Sequence, residues 1–597
     1  MRVCFASDRR ERTKYRHVPY LAAALPRTSD QSLIHRGAGL DSASVGYEPG
    51  PRQSAYLVAT PNLLGVDFSM NSDPAELASD SNNASLEQHA EPEGDRSPEV
   101  VAAAASLIDT IVDASGEQPS KSRRSDRLER FLAGQAPGRA LKEWFGDIDG
   151  LSKDQLIRRL SRDIARIDGT LNSQLNEILH HPKFQRLEAS WRGLVHLVQS
   201  VPDDIDANIK IKALDISWKE VERDFETASE FDQSKLFKKV YEEEFGMSGG
   251  KPYGVLIADF EIHPHPFAGH RHDDIDILRS LAQLGAAAFC PVIANASPSM
   301  FGLDDFHAME QTLEHGRVFE QKAFLRWQSL RDAPDTRFVG LTLPHVLMRL
   351  PYKDDGSRVD RFIFQEQVTG RDDSKYLWGG AAFALGGVII RAFAESGWLA
   401  DIRGVRRGVE AGGLVTGLPV HCFDTDGIGV APKCSTDVVI RDGVEKQLSD
   451  LGFIPLCRCA DTDYSAFYAV QSIQKPKTYD REVATVNARL SAMLQYMLCA
   501  SRFAHYIKIL GREKIGSSTS IEQLQDELHD WIHDYVTADS SADSETKARY
   551  PLREAKVVVQ PTAGKSGAFD CTMHLSPHYE FEEMVASVRL NTTLVGK

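Results

Sequence analysis

The chain has 597 residues, 42% hydrophobic and 26% charged, a composition that sustains several packed cores and excludes a peptide toxin, a collagen or a wholly disordered protein. Its 85 acidic residues outnumber 69 Lys and Arg, for a formal charge of −16, so the average surface repels nucleic-acid backbones and anionic lipids. No run reaches the roughly 18–20 apolar residues of a membrane span. Eight scattered cysteines, mostly in apolar context, fit buried thiols in a reducing cytoplasm rather than a disulfide framework.

The first 69 residues carry nine Arg or Lys against six acids, and their apolar patch at 21–25 is too brief for a signal-peptide core. Residues 70–120 reverse the bias, with eleven acids against Arg96 and no aromatic residue. We expect residues 1–99 to be a disordered extension, with translation starting at Met70, where the acidic tail begins. In the run from Val100 to Asp113, Val101, Ala104, Leu107, Ile108 and Ile111 recur at helical spacing. This predicts a short amphipathic helix over 100–115, either docked on its own domain or offered to a partner's groove.

Ser152 is placed to cap a long helix whose apolar positions are Leu156, Leu160, Ile164, Ile167, Leu171, Leu175 and Ile178, ending before Pro182. A second helix follows at once, and residues 209–217 alternate like a strand. From Tyr253 short apolar runs alternate with helical patterns, which argues for an α/β layered core over 120–475. Near Lys475-Pro476-Lys477 the pattern changes to a long helical block, a second helix around 520–535 and two runs of strand formers. We place a domain boundary there, with α+β character over 476–597. The run from 584 to 594, holding Val585, Val588 and Leu590, reads as a strand half-covered by a neighbour.

Motifs with catalytic chemistry are weak. His263, His265, His270, His272, Asp273 and Asp274 fall within twelve residues and carry donors that suit zinc or nickel. Two prolines and a glycine in the same stretch give it the character of a solvated loop, and a metal-dependent hydrolase centred here is the runner-up function. The glycines at 404, 408, 412 and 413 fit neither a dinucleotide fingerprint nor a phosphate loop, and Cys457 and Cys459 have the wrong spacing for a zinc ribbon. No catalytic, cofactor-binding or metal residue is assigned, and no cofactor is expected. Trp191, Trp218, Trp327, Trp378 and Trp398 sit in blocks of aromatic and small residues, as in a core or an interface.

Ten blocks, in order along the chain, carry a family resemblance. They include LNEILHHPKFQRLEASWRGLVHLV (175–198), DQSKLFKKVYEEEFGMSGGKPYGVLIADFE (232–261), SPSMFGLDDF (297–306), FVGLTLPHVLMRLPY (338–352) and KYLWGGAAFALG (375–386). Further on come GWLADIRGVRRGVEAGGLVTGLPVH (397–421), QLSDLGFIPL (447–456), QSIQKPKTYD (471–480), LSAMLQYMLCASRFAHYIK (490–508) and ARYPLREAKV (548–557). The chain resembles the large subunit of the type VI secretion contractile sheath, the TssC/VipB family, over about residues 100–593. Residues 1–69 have no counterpart in the family pattern, and the histidine loop is longer and richer in His and Pro.

The resemblance implies a non-enzymatic, cytoplasmic bacterial protein. It implies a heterodimer with a small sheath subunit of the TssB/VipA kind, polymerised into a helical tube around an inner-tube protein and above a baseplate, whose contraction ejects the inner tube. It also implies strand exchange between neighbouring heterodimers, for which Val585, Val588 and Leu590 are candidates. Recycling by an AAA+ unfoldase of the ClpV kind would use a helix that Leu107, Ile108, Ile111 and Val112 match by position and pattern.

Overall fold

The computed structural model describes residues 2–7, 128–132 and 136–578, with short interruptions in the last span, the longest at 422–433. The predicted helix residues Leu107, Ile108, Ile111 and Val112 and strand residues Val585, Val588 and Leu590 lie outside the described residues.

After a short helix α1 (Pro137–Phe145), two long helices follow in succession, α2 (Lys153–Leu179) and α3 (Pro182–Gln199). The predicted cap is present as a full capping box: Ser152 Oγ accepts from the Gln155 N–H, and Gln155 Oε1 accepts from the Ser152 N–H at 2.9 Å. Pro182 opens α3, where its missing N–H costs nothing.

An eight-stranded mixed sheet follows, built from β1 (Arg2–Ser7), β2 (Ile209–Leu214), β3 (Tyr253–Ile262), β4 (Val292–Ala296), β5 (Val339–Leu343), β8 (Leu414–Val415), β9 (Phe453–Arg458) and β10 (Ser465–Phe467). The order is β2-β1-β3-β4-β5-β9-β10-β8, with β3, β4, β5 and β9 parallel and the strands beyond them antiparallel. A separate two-stranded ladder joins β6 (His345–Leu347) to β7 (Trp378–Gly380). β1 differs from the disordered extension expected over residues 1–99. The basic composition of that whole segment averages away a six-residue run, Arg2-Val3-Cys4-Phe5-Ala6-Ser7, whose centre is rich in strand formers.

The parallel strands are buried on both faces, as their continuous apolar runs require. One face is covered by α4 (Trp218–Thr227), α5 (Asp274–Ala288) and α6 (Leu325–Arg331), with Trp327 and Phe453 rings stacked 5.9 Å apart. The other carries α7 (Ala382–Ser396), and α8 (Asp442–Asp450) leads into β9. α7 lies close against α3: a Cβ at Gly193 would stand 2.3 Å from the Phe383 ring.

The C-terminal part has the expected α+β character. Helices α9 (Glu482–Ala492), α10 (Leu494–Glu513), α11 (Ile521–His533) and α12 (Ser544–Arg549) precede an antiparallel hairpin of β11 (Leu552–Pro561) and β12 (Phe569–Pro577). Its core centres on Trp398, from the segment after α7, stacked on Phe503 of α10 at 4.2 Å. Inward residues Ala555, Val557 and Val559 face α11, while Glu554, Lys556 and Gln560 face outward.

A buried and a half-buried histidine make this packing acid-sensitive. His505 on α10 donates from Nε2 to the Ala288 carbonyl at 2.9 Å, and burial, with Arg502 adding, pulls its pKa down to about 3. Burial likewise brings His196 on α3 to about 4. Both stay neutral in the fold and protonate on unfolding, so their stabilisation is complete above the ordinary histidine value of 6.5 and is lost as pH falls toward 4 and 3. Moving from pH 7 to pH 5 should cost about 2 kcal/mol per histidine. His505→Gln, which cannot titrate, should remove roughly half of that loss when urea unfolding is compared at the two pH values.

Candidate functional site

Helices α2 and α3 have more apolar surface than the other described residues cover. On α3 the face formed by Ala189, Gly193 and Leu197 is buried against α7. A second stripe on the same helix, Phe184, Leu187, Trp191, Val195 and Val198, follows the three- and four-residue spacing of one face and is open to solvent, Leu187 at 55% and Trp191 at 44%. On α2, Ile157, Leu160, Ile164, Leu175 and Ile178 are exposed as well. Scattered exposed apolar residues are ordinary, but a periodic stripe on each of two successive helices marks a surface built to be covered. Of the five tryptophans singled out in the sequence, Trp218, Trp327 and Trp398 are buried and Trp378 is half-buried, whereas Trp191 is exposed.

The pair is held to the body of the molecule by polar contacts. Asn172 and Asn176, one turn apart on α2, bind the extended segment 362–368 as a neighbouring strand would. Asn172 Nδ2 donates to the Ile363 carbonyl at 2.8 Å, its Oδ1 accepts from the Gln365 N–H at 3.1 Å, and Asn176 Oδ1 accepts from the Gln367 N–H at 2.7 Å. Beside this ladder the Arg349 guanidinium lies between two carboxylates, its Nε 2.7 Å from Glu188 on α3 and its Nη2 3.1 Å from Glu366 in the segment. Arg192 also pairs with Glu188 at 2.8 Å, and the Tyr352 N–H donates to Glu366 at 2.9 Å. Burial pushes the Glu188 carboxyl up, but the Arg349 and Arg192 guanidiniums outweigh it and hold it below the ordinary carboxylate range.

The histidine loop, at the C-terminal end of β3, is exposed over residues 265–269, as a solvated loop is, and is anchored at its end by Asp274. Asp274, the first residue of α5, is 1% exposed, and its carboxylate gathers four groups. Oδ1 accepts from Trp218 Nε1 at 2.6 Å and faces His270 Nε2 at 2.6 Å; Oδ2 accepts from the His263 N–H at 2.8 Å and faces His263 Nδ1 at 3.1 Å. The other candidates are drawn elsewhere: His272 pairs with Glu222, Asp273 caps α5 and pairs with Arg326, and His265 turns its ring toward Phe324. A local cue, helix capping at Asp273-Asp274, was present in the sequence; the anchoring Trp218 lies 56 residues away.

A further ion cluster, partly open to solvent at Glu261, sits where β6 begins. His345 Nδ1 lies 2.8 Å from Asp437 and Nε2 3.1 Å from Glu261. Burial opposes its charge, yet the two carboxylates raise its pKa to about 10. It is a cation at neutral pH, tying β3, β6 and the segment before α8 together.

The β11–β12 hairpin completes the candidate surfaces, because among the described residues no strand pairs with the outer edge of β12. Open strand edges and uncovered apolar helix faces together describe a subunit that binds protein.

Comparison with known proteins agrees with that class. The family described as EvpB/VC_A0108, tail sheath N-terminal domain matches residues 161–474, and the EvpB/VC_A0108, tail sheath gpW/gp25-like domain matches residues 483–594. The chain is 39% identical over 480 residues to the type VI secretion system sheath protein TssC1 of Pseudomonas aeruginosa, which covers 80% of this chain and 93% of that protein. Two solved structures are distantly similar, the anti-feeding prophage baseplate (TM-score 0.31) and its helical sheath in the contracted state (TM-score 0.28). Each is 9% identical and covers 53% of this chain and 66% of that one. The chain belongs to the type VI secretion sheath large-subunit family, the VipB family of tail-sheath proteins.

Proposed function

We propose that this chain is the structural large subunit of a bacterial type VI contractile sheath and acts without catalysis in the cytoplasm. It pairs with a small sheath subunit of the TssB/VipA kind, and the heterodimers build a helical tube on a baseplate, around an inner-tube protein that contraction ejects. The observation that carries the pairing is the apolar stripe on α3, with Trp191 at its centre, which no other described residue covers, together with the exposed apolar residues of α2. The free edge of β12 supports linkage between subunits by strand addition, with the following segment that holds Val585, Val588 and Leu590 as the exchanged strand. Such a tether survives rearrangement of the bodies it links, which contraction requires. The helix predicted around Leu107, Ile108, Ile111 and Val112 is the handle for a ClpV-like AAA+ unfoldase.

Co-expression with the neighbouring small-subunit gene should give long tubules in negative-stain images, and a monodisperse small particle under every condition would overturn the sheath reading. Val588→Pro removes one main-chain donor and cannot sit inside a paired strand. It should leave a soluble heterodimer with few or no long tubules. Long, contractile tubules from this variant would move the tether to another segment.

A further inference from the structure

The histidine loop places three metal-ligating side chains around one point. His263 Nδ1, His270 Nε2 and an Asp274 carboxylate oxygen all lie within 4.8 Å of one another. We propose that these three residues form a binding site for a zinc-class divalent metal ion, which pins the loop between β3 and α5.

The donor set is the first argument. Two imidazoles and one carboxylate match the borderline character of zinc and leave a coordination position for water. Tetrahedral zinc asks for donor separations of about 3.3 Å, so the 2.6 and 3.1 Å contacts to Asp274 need to open by less than about 1 Å. The His263 and His270 rings already lie side by side, centroids 4.4 Å apart.

The surroundings are the second. Asp274 is held in place by the Trp218 indole N–H and the His263 backbone N–H, contacts of the kind that orient a metal-bound carboxylate from behind. The neighbouring charges that could compete are occupied, Asp273 and Asp276 by Arg326 and Glu222 by His272. Phe267 and His270 close the loop through mutual backbone hydrogen bonds of 2.7 and 3.0 Å, which presents His270 toward α5. The two histidine side chains keep 14% and 18% of their surface open, enough for an ion to enter. Topology is the third argument, since the loop lies beyond the C-terminal end of β3, one of the parallel strands, on the side of the sheet where α/β proteins place ligands.

The test uses the full chain purified without an affinity tag and stripped with chelator. His529 and His533, one turn apart on α11 with ring centroids 4.1 Å apart, offer a competing surface chelate, so every protein tested also carries His529→Ala and His533→Ala. Zinc titration against a competing dye should then show one bound ion per chain. Adding His263→Ala and His270→Ala should weaken binding by more than about 100-fold. His270→Gln keeps a donor to Asp274 and should leave the metal-free melting curve unchanged while losing zinc, which separates ligation from folding. Equal zinc binding with and without His263 and His270, or no binding by the parent, overturns the proposal.

Discussion

Glu366→Ala is expected to cost about 1.5–3 kcal/mol, because it strips one of two carboxylates from a buried Arg349 that keeps only Glu188. The Tyr352 N–H loses its acceptor in the same step. The damage should be local before it is global: residues 362–368 lose an anchor beside the Asn172–Asn176 ladder and become open to protease, which limited digestion followed by mass spectrometry would locate. Replacing both Glu366 by Gln and Arg349 by Met should recover part of the loss in urea unfolding, since it removes the excess positive charge as well as the pair and leaves Glu188 to Arg192. A single Glu366→Ala protein as stable and as protease-resistant as the parent would show that the cluster does not hold this segment.

Trp191→Asp combined with Leu187→Asp should leave the isolated chain folded and abolish its complex with the small sheath subunit. Both side chains are about half exposed, so the free protein has little to lose. An aromatic anchor at an interface centre is worth at least about 2 kcal/mol, and a charge buried there without a partner adds to the loss. Isothermal titration or co-purification reads the result directly. Retained binding at parental affinity would place the small-subunit interface elsewhere, while tubule formation without Trp191 and Leu187 would remove the helical pair from assembly altogether.

Local rules carried much of the fold. The Ser152 cap, the apolar spacing through Ile178, the break at Pro182 and the alternation of strands and helices from Tyr253 are all visible over windows shorter than thirty residues. The apolar seam of α2 was visible too, but periodicity says only that a face is apolar; it does not say which chain covers it. What stayed hidden depends on distant partners. Arg349 meets a glutamate 161 residues away, Asn176 meets a backbone 191 residues away, and Trp218 anchors an aspartate 56 residues on. The histidine loop is the exposed turn its prolines and glycine describe over residues 265–269, whereas the buried carboxylate of Asp274 depends on Trp218 of α4, far along the chain. β1 pairs with strands more than 200 residues later, which no local pattern encodes.

The two-faced helix α3 also sets a timetable. Its inner face waits for α7, which is translated only after the intervening residues 200–381, about 10–40 s at ~5–20 residues per second. Throughout that interval both apolar faces stand bare on the nascent chain, and among the described residues nothing covers the outer one after release. A partner already in the cell can therefore seat itself on the outer stripe while synthesis is still under way. Matching its supply to the ribosome's output then becomes a condition for soluble product, with surplus large chain the first to aggregate.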